Sequence, residues 1–309
     1  MTNSRVTGAA PARPIERPVR PRELEDGLNL HLYHPLAWAL ARRLARTPLT
    51  PNQVSVAGGL TVVAAGAAYT GPLWGGPAWP WSALLGLALH MAWHVIDGAD
   101  GDLARMTGKS SATGELVDGV CDYFGNIVMY FAFAFWLDDT LGGWAWALTA
   151  GAGASHILQT NHAETQRRLY AWRVYGRSWL RSAAERGDAL FQKKSRFARW
   201  FGICGEFYVW LSKLMSPSAN PLDAALAAAG PDEAARIRAL IRDHSRLSLA
   251  LEMMLGANPK TFLIAASIAL GGPLYFFLVM LAVVNLILIV SIVHHKRMER
   301  RLAAMIATP

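Results

Sequence analysis

The sequence predicts an all-α integral membrane protein, with six transmembrane helices and a helical cytoplasmic insertion between the fourth and fifth. Three observations predict it. Hydrophobic residues fill 53% of the 309 positions and charged residues only 17%. With a positive mean hydropathy, that is too apolar for a soluble chain of this length. The apolar residues gather into runs near the ~20 residues a helix needs to cross a bilayer, and helix beyond a short run can complete it. The basic residues also fall on alternate connections. Six spans put every basic flank on the cytoplasmic side, with both termini inside.

Taken in order, residues 1–29 open with "MTNSRVTGAAPARPIERPVRPRE". The stretch lacks an apolar core, so it is no cleavable signal peptide and reads as a disordered basic tail. Residues 30–163 hold an amphipathic juxtamembrane helix and the first four spans, at 52–69, 79–96, 112–136 and 142–158. The loop "TGPLWGGPAWP" after the first span carries no charge, and "LDDTLGG" after the third is acidic. Basic residues return in "ETQRRLYAWRVYGR" after the fourth span and in "HHKRMERR" after the sixth.

Residues 164–248 form a cytoplasmic or interfacial helical insertion of mixed basic and aromatic character, suited to anionic headgroups. Its last part, "PDEAARIRALIRDHSR", has Pro231 at a helix start and acids in the first turn, where the helix dipole favours them. Within the insertion, 197–215 has the length of a seventh span. Arg199, Glu206 and Lys213 make that costly. An odd count would also move "HHKRMERR" outside, so this stretch reads as an interfacial or partner-packed helix. Residues 249–309 carry the last two spans, at 259–270 with Pro259 as a kink and at 274–293, followed by a basic tail.

Composition narrows the chemistry as well. The net charge of +8 suits either nucleic acid or the basic margin of a membrane protein. The apolar content selects the second, and no nucleic-acid partner is expected. Two cysteines, Cys121 and Cys204, exclude a disulfide framework and a cysteine zinc site.

The stretch that carries chemistry is "HVIDGADGDLARMTGKSSATGELVDGVCDYFG", residues 94–125. It holds Asp97, Asp100, Asp102, Glu115, Asp118 and Asp122 between strongly apolar neighbours, where charge is expensive. Positions three or four apart share a helix face. Asp97 and Asp100 therefore leave one face of the second span at its cytoplasmic end. Gly114, Asp118 and Asp122 line one face at the start of the third. The short connection brings the two faces together. Carboxylates so placed repel unless a cation lies between them, and oxygen ligands favour Mg²⁺ or Mn²⁺. Gly101 and Gly114 leave room for a bulky ligand to approach the backbone. Arg105 offers a planar cation to a phosphate.

Each piece alone has an ordinary explanation. An Asp-x-x-Asp pair is a solvated helix face, and a lone glycine in a membrane helix is packing. Asp102 and Glu115 fit that account, as charges facing cytoplasmic water. The combination is different, with Asp97, Asp100, Gly101, Ala104, Arg105, Gly114, Asp118 and Asp122 falling within one short segment at a membrane boundary.

That pattern resembles the signature of the CDP-alcohol phosphotransferase (CDP-alcohol phosphatidyltransferase) family, membrane enzymes of phospholipid synthesis. The stretch "LTPNQVS", residues 49–55, resembles the family's segment ahead of its first core helix. The resemblance covers residues 30–165. It implies a six-helix core, a homodimer, and an active site open to cytoplasm and membrane, with a bacterial inner membrane as the setting. It implies Asp97, Asp100, Asp118 and Asp122 as metal ligands and Asp122 as general base as well. It further implies Thr50, Pro51, Asn52, Gln53, Gly101, Arg105 and Ser111, with Gly114 beside them, as contacts to the CDP moiety.

The implied reaction passes a substituted phosphate from a CDP-linked donor to an alcohol. The expected pair is CDP-diacylglycerol with a small polar acceptor such as inositol phosphate, glycerol phosphate or serine. A soluble CDP-alcohol donating to a lipid alcohol uses the same signature. Arg167, Arg168, Arg173 and Lys260 are candidates for holding a phosphorylated acceptor, and they serve equally as positive-inside charge. A reading of another class is a divalent-cation transporter, because intramembrane acids mark ion pathways too. Arg105 and two ligand-admitting glycines suit a nucleotide better.

Overall fold

The structure is a computed structural model that describes residues 21–177 and 221–307, together with positions between 203 and 215. The expected tail lies outside the described residues as far as residue 20. Most of the 197–215 segment also lies outside them. Among the described residues the chain is helical, with no strand.

Helix α1 (His34–Leu44) follows a π-helical turn (Asn29–Tyr33). Helix α2 (Pro51–Tyr69) opens on a capping box. The Gln53 amide donates to Thr50 Oγ1, and Gln53 Oε1 accepts from the Thr50 amide at 2.9 Å. Pro51 takes the first helical position, where no donor is needed. Helix α3 (Trp81–Met106) runs without a break from the apolar second span into the aspartates. Helix α4 (Ala112–Leu141) starts under Ser111, whose Oγ accepts from the Gly114 amide at 3.0 Å. Helix α5 (Gly143–Tyr175) follows after the turn at Gly142.

Small residues let these helices close on one another. A Cβ on Gly59 of α2 would lie 2.8 Å from the Cys121 carbonyl oxygen of α4, and one on Gly125 of α4 would lie 2.8 Å from the Gly59 carbonyl oxygen. The two backbones touch there, which side chains would forbid. One turn on, Val62 and Ala65 of α2 join Met129, Phe133, Phe276, Phe277 and Met280 in the main core.

Two helices, Thr113–Leu141 and Leu274–Ile306, are long and apolar enough to cross a membrane. The other four expected spans fall in helices α2, α3 and α5 and in the helix Ala257–Ala269, which are shorter or more polar. On α5 the reason is visible. Ser155, Gln159, Asn161 and His162 are buried against the other helices, with Gln159 Nε2 donating to Asn285 Oδ1 at 2.8 Å and His162 Nε2 3.0 Å from Ser291 Oγ.

Three expected boundaries move. Residues 164–175, placed at the start of the insertion, continue α5. The reason is that nothing interrupts the helix before Gly176, which closes it at φ +68°. The expected kink at Pro259 is a break at Gly256, between α8 (Arg246–Leu255) and α9 (Ala257–Ala269). Pro259 sits in the first turn of α9, where its missing N–H costs nothing.

The third boundary is the basic C-terminal tail, which is helix. Helix α10 (Leu274–Val279) passes through a π-helical turn (Met280–Val284) into α11 (Asn285–Ala307). Met298 and Leu302 of α11 are buried in a second core with Leu24, Tyr170, Val174, Leu222 of α6 (Pro221–Ala228), Ile237 and Ile241 of α7 (Pro231–His244), and Leu249. The described part of the insertion thus packs on the projecting ends of α5 and α11.

Candidate active site

The connection between α3 and α4 is only residues 107–111 and both helices pack on α2, so their aspartate-bearing ends stay near one another. One carboxylate oxygen from each of Asp97, Asp118 and Asp122 lies within 4.8 Å of the others. These side chains are half-buried, and among the described residues none of the three is paired with a lysine or arginine. Three unpaired carboxylates this close, partly out of water, favour a cation between them. The all-oxygen donor set fits a hard divalent ion.

Asp100 stands one turn along α3 from Asp97, buried to 5% exposure. Ser55 of α2 donates its hydroxyl to Asp100 Oδ2 at 2.6 Å. Trp93 donates its indole N–H to Asp122 Oδ1 at 2.8 Å. Neither donor was expected from the sequence. Trp93 stands one turn ahead of Asp97 on the same helix, so periodicity gives them one face, whereas Ser55 lies inside "LTPNQVS" on another helix, where spacing does not relate it to the aspartates. A serine and a tryptophan among apolar residues, however, read first as packing.

Two groups expected to bind phosphate and nucleotide have partners within the protein. Arg105 forms an ion pair with Asp102, and its Nη1 lies 3.4 Å from the point a Gly101 Cβ would occupy. Asp102 was expected to face water. It is instead 3% exposed, because α3 turns this side of the helix inward and Arg105 offsets the burial. Glu115 is also paired, with Arg168 of α5. Thr50 and Gln53 satisfy each other in the α2 cap. The turn that carries them does face the site: a Gly114 Cβ would lie 3.3 Å from Ser111 Oγ and 3.6 Å from Asn52 Oδ1. The N-termini of α2 and α4 therefore meet, bringing Asn52, Ser111 and Gly114 together.

The four candidates for acceptor binding separate. Arg167 pairs with Glu164, and Arg168 bridges Glu164 and Glu115 close to the start of α4. Arg173 is 4% exposed and donates to Asp223 at 2.6 Å and Glu299 at 2.7 Å, in the second core. It lies three turns along α5 from Asn161 and is consumed by holding α6 and α11 together. Lys260 is 3% exposed and donates to Thr160 Oγ1 at 2.9 Å and the Leu255 carbonyl at 2.8 Å. It has no carboxylate partner among the described residues. Its neighbour Thr261 meets His94 Nε2 at 3.0 Å, and His94 is one turn from Asp97. A buried ammonium without a counter-charge is costly, which sets Lys260 apart from the three arginines.

Residues 48–174 match the family model described as CDP-alcohol phosphatidyltransferase. No curated protein matches the chain.

Proposed function

Residues 48–174 match the CDP-alcohol phosphatidyltransferase family model, and from that premise we propose that this chain is a member of the family and moves a phosphatidyl group from CDP-diacylglycerol to a small polar alcohol, releasing CMP. The family is one of phosphotransferases for substituted phosphate groups, so the chain is an enzyme rather than a transporter. The observation that carries the proposal is the convergence of Asp97, Asp118 and Asp122 without a counter-charge, inside the matched residues.

We assign Asp97, Asp100, Asp118 and Asp122 to holding Mg²⁺ or Mn²⁺. When bound, such an ion neutralises the donor pyrophosphate and the charge that passes to the leaving CMP. Asn52, Ser111 and Gly114 border the space for the CDP moiety, with Arg105 beside it. Asp122 takes the proton of the acceptor hydroxyl. The alcohol oxygen then attacks the β-phosphorus and forms a phosphodiester. The bond from that phosphorus to the bridging oxygen breaks, and CMP leaves with the electron pair.

The helices set the geography of the reaction. Six spans, with the aspartates at the cytoplasmic ends of α3 and α4 and both termini inside, keep acyl chains in the bilayer while the nucleotide meets water. The carboxylates lie where a lipid headgroup meets a soluble partner. Lys260 is the acceptor-side residue we favour, because an anionic substituent on the alcohol would supply the counter-charge it lacks.

The test is CMP release by the purified protein in detergent with Mg²⁺, CDP-diacylglycerol and a panel of acceptor alcohols, with the lipid product identified by mass. One acceptor should support turnover, and chelation should abolish it. Turnover only with a soluble CDP-alcohol and a lipid acceptor would reverse the assigned donor. Full activity in chelator would sink the metal assignment.

A further inference from the structure

The Asp122 carboxylate is gripped by a side chain that carries no role in the chemistry above. Trp93, 6% exposed, points its Nε1–H at Asp122 Oδ1 across 2.8 Å. The indole is itself fixed on several sides. Its Cδ1 lies 3.6 Å from the point a Gly58 Cβ would occupy, so α2 supplies a flat floor. The His90 ring packs against it with centroids 5.4 Å apart, and the His94 ring with centroids 4.4 Å apart. His94 is in turn stacked on Tyr33, with centroids 4.8 Å apart, and meets Thr261 Oγ1. A ring held this way delivers its one donor to one place.

We infer that Trp93 is a positioning residue for the proposed base: it ties down one oxygen of Asp122 so that the other is presented to the acceptor hydroxyl. The inference rests on the assignment of Asp122 as base. An aspartate's terminal torsion is broad, so a free carboxylate samples many orientations. Indole suits the task because it donates and cannot accept, so it holds the carboxylate without competing for the proton. Catalytic geometry of this kind depends on supporting residues that are themselves locked by packing.

Trp93→Phe keeps a ring of similar shape and removes the donor. The variant should stay folded, with an unchanged thermal midpoint in detergent. Its kcat should fall roughly 10- to 100-fold, the usual loss when an outer hydrogen-bond partner of a functional side chain is removed. KM for the CDP donor should not move. In an Asp122→Asn background the same substitution should cost nothing further, because there is no base left to orient.

Wild-type kcat in a folded Trp93→Phe protein would overturn the inference. So would a loss that appears equally in the thermal midpoint and in both backgrounds, since that is a packing role. The two assignments separate cleanly. Inactive Asp122→Asn with fully active Trp93→Phe defeats the positioning role and spares the base. Active Asp122→Asn defeats the base itself.

Discussion

At the scale of single residues, the site divides the aspartates by what holds them. Asp122 has an indole donor and Asp100 a hydroxyl donor, whereas Asp97 and Asp118 meet mainly other carboxylates. Asp122→Asn keeps the size and removes the basic oxygen pair. Turnover should drop by ~10²–10⁴, the range for a positioned general base, with nucleotide binding largely kept. Asp97→Asn should damage Mg²⁺-dependent nucleotide binding and turnover together. Measuring both quantities on both variants decides the matter, and equal binding losses would leave Asp122 a metal ligand only. Ser55→Ala should raise the Mn²⁺ concentration needed for half-activation by roughly 10-fold or more, as loss of an outer hydrogen bond does. An unchanged activation curve would make Ser55 a packing residue. Ser55 lies inside one quoted motif and Trp93 just ahead of another, yet only the fold shows that their hydrogens point at carboxylates 45 and 29 positions away.

At the scale of elements, the site depends on how closely α2 and α4 approach. Gly59 and Gly125 bring two backbones into contact one turn from Asp122. Gly59→Ala would push a methyl against the Cys121 carbonyl, and neither backbone can yield locally. The variant should lose about 1–3 kcal/mol, the usual cost of overpacking. It should also lose activity, because Cys121 precedes Asp122 in the chain. A thermal midpoint equal to wild type would mean that the helices can separate freely. Gly114 is the contrasting case. Its Cβ position is tight only against Ser111 Oγ and near Asn52 Oδ1, both at the surface. Gly114→Leu should therefore fold and be extractable, while CDP-lipid binding weakens. Unchanged affinity would show that this space is not used by the donor.

At the scale of the whole molecule, two cores share two long helices. At 33 residues, α5 is about 50 Å long, more than the ~30 Å hydrocarbon thickness of a bilayer. Its far end carries Tyr170, Arg173 and Val174 into the second core. Arg173 joins α6 and α11 through Asp223 and Glu299 at a point with 4% exposure. Arg173→Met would leave those two carboxylates facing each other without their shared cation. Removing one partner of a buried ion pair costs about 3–5 kcal/mol. The midpoint in detergent should fall sharply, with KM for donor and acceptor unchanged in the protein that remains folded. A selective rise in acceptor KM would return Arg173 to the substrate-binding residues.

The sequence by itself determined the helical class, the positions of the long apolar helices, and the aspartates that converge. Helical periodicity and bilayer length are local rules, and Asp97 to Asp122 lie on adjacent helices with a short connection. Tertiary structure alone decided what the remaining charges do. Arg167, Arg168, Arg173 and Lys260 look alike in the chain, since each is a cation near the end of an apolar run. Whether a cation is matched depends on carboxylates up to 126 positions distant, such as Glu299 for Arg173. The same holds for 164–175 and 294–301, which read as the start of the insertion and as tail because they are polar. They are helix because the insertion buries their apolar faces, and burial is a property of the packed molecule rather than of the segment.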